Sequence, residues 1–180
     1  MSRDELARRI ASAALLRGEF TLRSGRKSSY YLDKYLFSTQ PEILAALGHM
    51  FAARLPAGTT KLAGAELGGI PLVTAASLAS GLPCIFIRNQ KKDYGTARQL
   101  EGELVAEDRV VIVEDVATTG GQALEAAKIV VAGGAGGAKV LKIIATIDRL
   151  EGARQNVEAA GYEFDALFTT RDLGIVESPV

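Results

Sequence analysis

Four consecutive β-branched residues at 110–113, followed by two carboxylates, constrain the fold of this chain more than any other stretch. The run reads Val-Val-Ile-Val, which is typical of a strand that is buried on both faces. A strand of that kind is characteristic of a mostly parallel sheet that helices cover on both sides. The run therefore favours an α/β protein.

Strand and helix patterns alternate along much of the chain, which supports the same class. Strands are predicted at residues 61–65, 84–87, 109–113, 140–147 and 166–170, and helices at 70–79, 122–131 and 151–160. Ser2 and Glu5 form a capping-box pair that predicts a first helix, and a second helix is expected to begin near Pro41. The segment between Phe20 and Asp33 has the pattern of a small hairpin.

Size and composition bound the class of protein. A chain of 180 residues with 48% hydrophobic and 23% charged residues is expected to form one domain. Its formal net charge of zero gives no sign of binding to nucleic acid or to a membrane surface. The single cysteine, Cys84, excludes an internal disulfide and a cysteine-rich zinc site. No apolar run reaches the roughly 18 residues that span a bilayer, and the charged N-terminus is unlike a signal peptide, so a cytoplasmic location is expected.

Glu114 and Asp115, here called the acidic pair, stand just before a loop of hydroxyl groups and glycine. The loop, residues 118–122, reads Thr-Thr-Gly-Gly-Gln and leads into the helix predicted at 122–131. A helix start offers unpaired N–H groups and a positive dipole end, which suit a phosphate. The acidic pair would repel a phosphate but can accept hydrogen bonds from neutral hydroxyl groups. A sugar phosphate fits both halves, although an ordinary strand–helix connection is the alternative interpretation.

This segment resembles the phosphoribosyl pyrophosphate (PRPP) signature of the type I phosphoribosyltransferases. The resemblance implies that the acidic pair holds the 2′ and 3′ hydroxyls of the ribose and that the loop surrounds its 5′-phosphate. The PRPP-binding residues that it implies here are Glu114, Asp115, Val116, Ala117, Thr118, Thr119, Gly120, Gly121 and Gln122. Residues 64–71 lie where this family has its pyrophosphate loop, which implies PRPP contacts at Leu67 and Gly68.

A second informative stretch, residues 88–102, has no apolar periodicity and carries four cationic and two acidic side chains. By itself it is typical of a solvated surface loop. Long loops of this kind in compact domains are often functional, so a lid over a bound ligand is the other interpretation. A cationic lid would suit pyrophosphate, the leaving group of PRPP.

The pattern Arg-x-x-x-Lys-Asp-Tyr-Gly in that stretch is similar to the catalytic loop of the orotate phosphoribosyltransferases. Residues 20–31 are similar to the N-terminal hood of that family, and Arg149 matches its orotate-binding arginine. The resemblance implies catalytic roles for Lys92, Asp93 and Tyr94. It implies further PRPP contacts from Arg88, Asn89, Lys92 and Tyr94. It implies orotate contacts from Arg23, Tyr31, Thr118 and Arg149. Tyr30 and Tyr31 alternate faces if they lie on a strand, so one of them belongs to the core.

The same resemblance implies a type I phosphoribosyltransferase fold in a single domain. The hood would comprise about residues 1–35 with the C-terminal tail, and the PRPP-binding core about 36–160. The implied reaction joins the 5-phosphoribosyl group of PRPP to orotate, giving orotidine 5′-monophosphate and pyrophosphate in pyrimidine biosynthesis. Mg²⁺ is implied as cofactor, held by substrate oxygens and water. A homodimer whose subunits share their active sites is implied as well.

Two other functions are possible on the same residues. One is a phosphoribosyltransferase for another base, although a purine has no carboxylate for the Arg149 guanidinium to grip. The other is a non-catalytic PRPP-sensing regulator, which would need a nucleic-acid-binding surface that the zero net charge does not favour. Arg149 could also serve only as an ion-pair partner of Asp148 or Glu151.

Overall fold

The structure, a computed structural model, describes residues 1–21, 27–89, 99–133 and 137–175. The helices in these ranges are α1 (Arg3–Ala14), α2 (Lys34–Ser38), α3 (Pro41–Ala52), α4 (Gly69–Ser80), α5 (Gly121–Gly133) and α6 (Ala153–Ala159). The strands are β1 (Leu15–Thr21), β2 (Lys27–Leu32), β3 (Lys61–Ala65), β4 (Cys84–Ile87), β5 (Leu100–Glu101), β6 (Arg109–Ala117), β7 (Lys139–Asp148) and β8 (Glu163–Thr169). None of the helices in these ranges has the length and apolar character needed to cross a membrane.

Six strands form one sheet in the order β5-β4-β3-β6-β7-β8. The pairs β4–β3, β3–β6, β6–β7 and β7–β8 are parallel, and the short β5 pairs antiparallel with β4. Helices pack on both faces of this sheet. The predicted α/β fold, with a mostly parallel sheet between helices, is therefore confirmed.

The alternation of side chains along β6 divides the core into two clusters, one on each face of the sheet. Val111 and Val113 pack in the cluster that contains α1, α3 and α4. Val110 and Ile112 pack in the cluster that contains α5 and α6. The same period of two carries on along the strand, so it directs Glu114 towards the α5 face and Asp115 towards the α4 face.

The first long helices begin where the sequence predicts them. The Ser2 hydroxyl accepts a hydrogen bond from the Glu5 N–H at 3.2 Å and so caps α1. Pro41 occupies the first turn of α3, where its missing N–H costs nothing. Each helix then buries one stripe, represented by Leu6 in α1 and Leu47 in α3.

Several element boundaries differ from the predictions. Strand β6 continues to Ala117, beyond the predicted end at residue 113, because β7 supplies parallel partners as far as Asp148. The acidic pair therefore lies within the second half of the strand and not after its end. The helix predicted at 151–160 is shorter, because Gly152 precedes it with a φ of 101°. Neither α2 nor β5 was predicted, because elements of five and two residues are too short for periodicity to detect.

Strands β1 and β2 form a separate antiparallel hairpin, as predicted, although β1 begins earlier than expected, directly after α1. Residues 22–26 between them lie outside the described ranges. Tyr30 is buried in the core, whereas Tyr31 is 44% exposed. The prediction that one of the two tyrosines belongs to the core is therefore confirmed.

Candidate active site

Apart from Tyr31, which lies in β2 of the hairpin, the predicted site residues that the structure describes follow, or end, four neighbouring parallel strands. Gly68 comes after β3, Arg88 after β4, the loop 118–122 after β6 and Arg149 after β7. These strands are adjacent in the order β4-β3-β6-β7, so their carboxyl ends meet at one edge of the sheet. Open α/β sheets bind their ligands at this edge.

The acidic pair is the most unusual feature of the edge, because both carboxylates are almost fully buried. Glu114 is 3% exposed and Asp115 is 2% exposed. The Asp115 N–H donates to Glu114 Oε1 at 3.0 Å, and the Val116 N–H donates to Asp115 Oδ1 at 2.5 Å. Glu114 Oε2 is buried and has no hydrogen-bond partner within the described ranges. A buried oxygen of this kind is costly, so the site is suited to a ligand that brings a hydrogen-bond donor.

Burial, together with the negative charge of Asp115, raises the pKa of Glu114 well above its ordinary range. A cation from another element partly offsets the negative charge of the acidic pair, because Lys34 Nζ in α2 lies 2.7 Å from Asp115 Oδ2. Burial by itself would lower the pKa of Lys34, but the charge and hydrogen bond of Asp115, with smaller effects of Tyr35 and Glu114, together raise it. Lys34 is therefore a protonated counter-ion of the acidic pair at neutral pH.

The loop 118–122 is held by contacts with α6. Gly120 has a φ of 79°, and a Cβ atom there would lie 3.0 Å from Val157 Cγ2. Both the backbone conformation and the close approach of α6 therefore favour glycine. The Asn156 side-chain amide donates to the Thr119 carbonyl oxygen at 2.8 Å, which fixes the loop from the same side.

This loop and Glu114 of the acidic pair share one small pocket of about 70 Å³. It is lined by Glu114, Val116, Ala117, Thr118, Thr119, Gly120, Gly121, Gln122 and Ala123. The first N–H groups of α5 are available to an anion at one side, and the buried carboxylate can accept from hydroxyl groups at the other. The pocket thus combines the two properties that a sugar phosphate requires.

Gly68 lies against the acidic pair from the loop between β3 and α4. A Cβ atom at this position would lie 2.7 Å from Asp115 Cγ and closer still to Asp115 Oδ2. The other residue predicted from this loop, Leu67, is 63% exposed. The structure therefore brings the predicted pyrophosphate loop to the α4 side of Asp115.

Two residues at the start of the predicted lid are described, and both are tied to the sheet edge. The Arg88 N–H donates to the Gln99 carbonyl oxygen at 2.8 Å, which joins the two ends of the segment between them. The Asn89 N–H donates to Glu66 Oε1 at 2.7 Å. This last contact places the base of the predicted lid beside the loop that carries Gly68.

Arg149 is fixed beside the end of β6, because its N–H donates to the Ala117 carbonyl oxygen at 2.9 Å. Its Nη2 donates to the Tyr30 hydroxyl at 3.0 Å, and its Nε lies 2.8 Å from Glu151 Oε1. The ion pair with Glu151 that the sequence left open is thus present. Tyr30 is the tyrosine beside Arg149, whereas Tyr31 packs near Phe20, with 5.7 Å between ring centroids.

Four predicted site residues, Arg23, Lys92, Asp93 and Tyr94, lie outside the described ranges, and their roles stay predictions. Conversely, three residues at the site were not predicted from the sequence, namely Lys34, Glu66 and Tyr30. Each acts through a contact between segments distant in the chain, and no local pattern indicates such a contact. The only signal was the alternation of Tyr30 and Tyr31, which shows that one is buried but not which one approaches Arg149.

The chain is similar to known proteins over most of its length. No family model matches it. It is 44% identical over 156 residues to the orotate phosphoribosyltransferase of Methanocaldococcus jannaschii, which covers 87% of each chain. It is 42% identical over 174 residues to that of Natronomonas pharaonis, covering 96% of this chain and 98% of the relative. The crystal structure of Mycobacterium tuberculosis orotate phosphoribosyltransferase in complex with PRPP matches with a TM-score of 0.79 at 30% identity, covering 96% of this chain and 99% of that one.

Proposed function

The chain belongs to the orotate phosphoribosyltransferase family and transfers the 5-phosphoribosyl group from PRPP to orotate in pyrimidine biosynthesis, and we propose that it does so at the acidic pair and the loop 118–122. One observation carries this assignment of the site. The buried Glu114 Oε2 has no partner within the described ranges, and Glu114 lines the pocket that also contains the start of α5. Ribose hydroxyls would satisfy the carboxylate, and the 5′-phosphate would satisfy the helix start.

In the reaction, the bond between C1′ and a pyrophosphate oxygen breaks, and a bond between C1′ and N1 of orotate forms. The ribose must therefore be held at both ends while C1′ faces the incoming base. The acidic pair would hold the hydroxyls and the loop the 5′-phosphate, which fixes the orientation of C1′. Arg149, anchored to Ala117 at the end of the same strand, would present its guanidinium to the orotate carboxylate.

Within the predicted hood, the hairpin β1–β2 and the start of α2 would cover this site. Two contacts support that role: Tyr30 reaches Arg149 at the base side, and Lys34 reaches Asp115 at the sugar side. Arg23 and Tyr31, the other orotate contacts that we propose from the hood, would act with Thr118 of the loop. Closure by the hood would exclude the water that could otherwise hydrolyse PRPP.

The departing pyrophosphate carries several negative charges, which the lid would neutralise. We propose this role for Lys92 and Arg88. Asp93 and Tyr94 would be further catalytic residues of the lid, and Asn89 would contact PRPP at its base. Mg²⁺, which prefers oxygen ligands, would be carried by substrate oxygens and water. Within the described ranges there is no group of three or more His, Cys, Asp or Glu residues that could hold a metal ion. When bound, Mg²⁺ would stabilise the charge that develops on the leaving group.

The working unit that we propose is a homodimer in which each lid completes the site of the other subunit. An apolar groove of about 570 Å³ lies between α3 and α4, and Leu78, which lines it, is 83% exposed. Exposed apolar surface of this kind is typical of a protein–protein interface, which supports a contact between subunits at this face.

Mixing Lys92→Ala and Asp115→Asn subunits tests the shared sites. If lids act in trans, each mixed dimer has one site with both defects and one with neither, and about a quarter of wild-type activity returns after random exchange. Exchange verified by mass spectrometry without any recovery would contradict the proposal.

A cytoplasmic location is also proposed, because PRPP is too highly charged to cross a bilayer unaided. Cell fractionation followed by immunodetection would test it.

The assay that tests the function measures PRPP-dependent loss of orotate absorbance, with adenine, hypoxanthine and uracil as control bases. With PRPP present, we expect turnover of orotate and of none of the three control bases. Turnover with a purine instead would favour a transferase for another base. Tight PRPP binding without turnover of any base would favour a PRPP-sensing regulator.

A further inference from the structure

Lys34 occupies a fixed position at the start of α2, directly after the hairpin. The Asp33 carboxylate caps this helix by accepting from the Tyr35 N–H at 3.0 Å, and the Asp33 N–H donates to the Ala14 carbonyl oxygen at 2.9 Å. Phe37, one turn further on, is fully buried in the core. The short helix is thereby anchored at both ends, and the direction of the Lys34 side chain follows from that anchoring.

The side chain of Lys34 leads to one oxygen of the acidic pair. Its Nζ lies 2.7 Å from Asp115 Oδ2, and the lysine side chain is 30% exposed while that of Asp115 is 3% exposed. The other oxygen of the same carboxylate accepts from the Val116 N–H. The backbone of Gly68 lies close to Oδ2 from the α4 side. Three groups from three different elements therefore determine the orientation of the Asp115 carboxylate.

The charge balance gives this contact a second consequence. Glu114 and Asp115 are adjacent buried carboxylates, and PRPP approaches them as a polyanion. Without an ammonium group nearby, the pair would repel the phosphates of PRPP. A carboxylate has about four lone-pair positions, so Asp115 can keep Lys34 and the Val116 N–H and still accept from a hydroxyl group.

We propose that Lys34 is a positioning residue for PRPP, which from the hood orients the Asp115 carboxylate to accept a ribose hydroxyl. The inference rests on the proposed role of Asp115 in binding PRPP. It differs from two simpler roles of the same ion pair. A purely structural link between hood and sheet would affect stability but not ligand affinity, and a lysine that competes with the ribose would weaken PRPP binding when present.

A double-mutant cycle of Lys34→Met and Asp115→Asn separates these roles, with the Kd for PRPP and the Kd for orotate measured by calorimetry. Lys34→Met keeps the aliphatic length and removes the charge, and Lys34→Gln is a second neutral variant. Lys128→Met is the matched control, because Lys128 also pairs with a carboxylate, that of Glu125, at 3.3 Å on an exposed helix surface. We expect Lys34→Met to raise the Kd for PRPP about tenfold, or roughly 1.4 kcal/mol, a modest effect because the Lys34 side chain is 30% exposed in this ion pair.

The same substitution should change the Kd for orotate less than about twofold, and Lys128→Met should change neither. In the Asp115→Asn background, the effect of Lys34→Met on PRPP should disappear, because Lys34 acts through that carboxylate. An undiminished effect in that background, or unchanged or tighter PRPP binding by Lys34→Met, would overturn the inference. If instead Asp115→Asn alone left PRPP binding intact, the proposed role of Asp115 in binding the ribose would be wrong. That result is distinct from one that contradicts only the role of Lys34.

Discussion

Gly68→Ala is the substitution that tests the geometry of the acidic pair most selectively. Gly68 has φ −70° and ψ −28°, a backbone conformation that alanine adopts without strain. A methyl group there would nevertheless lie 2.7 Å from Asp115 Cγ and closer still to Oδ2. Among the described residues, the three atoms nearest to that methyl group all belong to Asp115, so its side chain is the obstacle to alanine at this position.

The size of the effect follows from how far that carboxylate must move. Non-bonded carbon atoms pack at about 3.5–4.0 Å, so Asp115 has to shift by roughly 1 Å or more. A shift of that size separates Oδ2 from Lys34 Nζ, now 2.7 Å away, and misaligns the hydrogen bond from the Val116 N–H. A displaced carboxylate would lose its hydrogen bond to the ribose, and hydrogen bonds to charged groups contribute roughly 1.5–3 kcal/mol. We therefore expect the Kd for PRPP to rise by about 10- to 100-fold and the Kd for orotate to change little.

Titration calorimetry with each ligand, alongside thermal unfolding, measures the two effects separately. Gly81→Ala is the matched control, because Gly81 ends the same helix α4 with a φ of 74° and has no atom within 4 Å of its would-be Cβ. That control should lose about 1 kcal/mol of stability through backbone strain and keep its PRPP affinity. Wild-type PRPP affinity in Gly68→Ala would refute the claim that Asp115, in this position, binds the sugar.

Three further substitutions test other parts of the account. Arg149→Ala should raise the KM for orotate far more than the KM for PRPP, and the loss in kcat/KM for orotate should correspond to roughly 2–5 kcal/mol. Unchanged orotate kinetics would instead make Arg149 a structural partner of Glu151. Glu114→Gln should weaken PRPP binding yet raise the melting temperature of the ligand-free protein at pH 8. The pKa of Glu114 is raised in the folded state, so the stability that Glu114 contributes is lost as the pH rises above 4.5, the ordinary pKa of this group. The gain in melting temperature from glutamine should therefore shrink as the pH is lowered from 8 towards 4.5. Asp172→Asn should cost about 1 kcal/mol at pH 7 after allowance for solvent screening. The Arg3 guanidinium lowers the pKa of Asp172 to about 2, so its contribution is present above the ordinary value of 3.8 and should disappear, in pH-dependent unfolding curves, as the pH falls to about 2.

Local patterns predicted those parts of the fold that depend on local physics. The β-branched run at 110–113 predicted a buried strand, and Pro41 predicted the start of a helix, because strand burial and helix capping act over a few residues. The end of β6 was predicted wrongly, because it depends on the length of β7, its neighbour in the sheet. The opposite orientation of Glu114 and Asp115 also follows from the sequence once the strand is known to include them.

The contacts that complete the candidate site were beyond prediction from the sequence. Lys34 and Asp115 are far apart in the chain, and their ion pair exists only because the hood folds over the edge of the sheet. Tyr30 and Arg149 meet for the same reason. Residue types and spacing predicted roles for the acidic pair and the loop 118–122, since each lies within a single segment. They could not identify residues whose role depends on the packing of the hood.

A crystal structure of the complex with PRPP and Mg²⁺ tests the central claim most directly. The account predicts the ribose hydroxyls within hydrogen-bond distance of Glu114 Oε2 and the Asp115 carboxylate, and the 5′-phosphate at the N–H groups of the loop 118–122. PRPP bound elsewhere, or bound with its phosphate in this loop while the acidic pair receives no hydroxyl group, would contradict it.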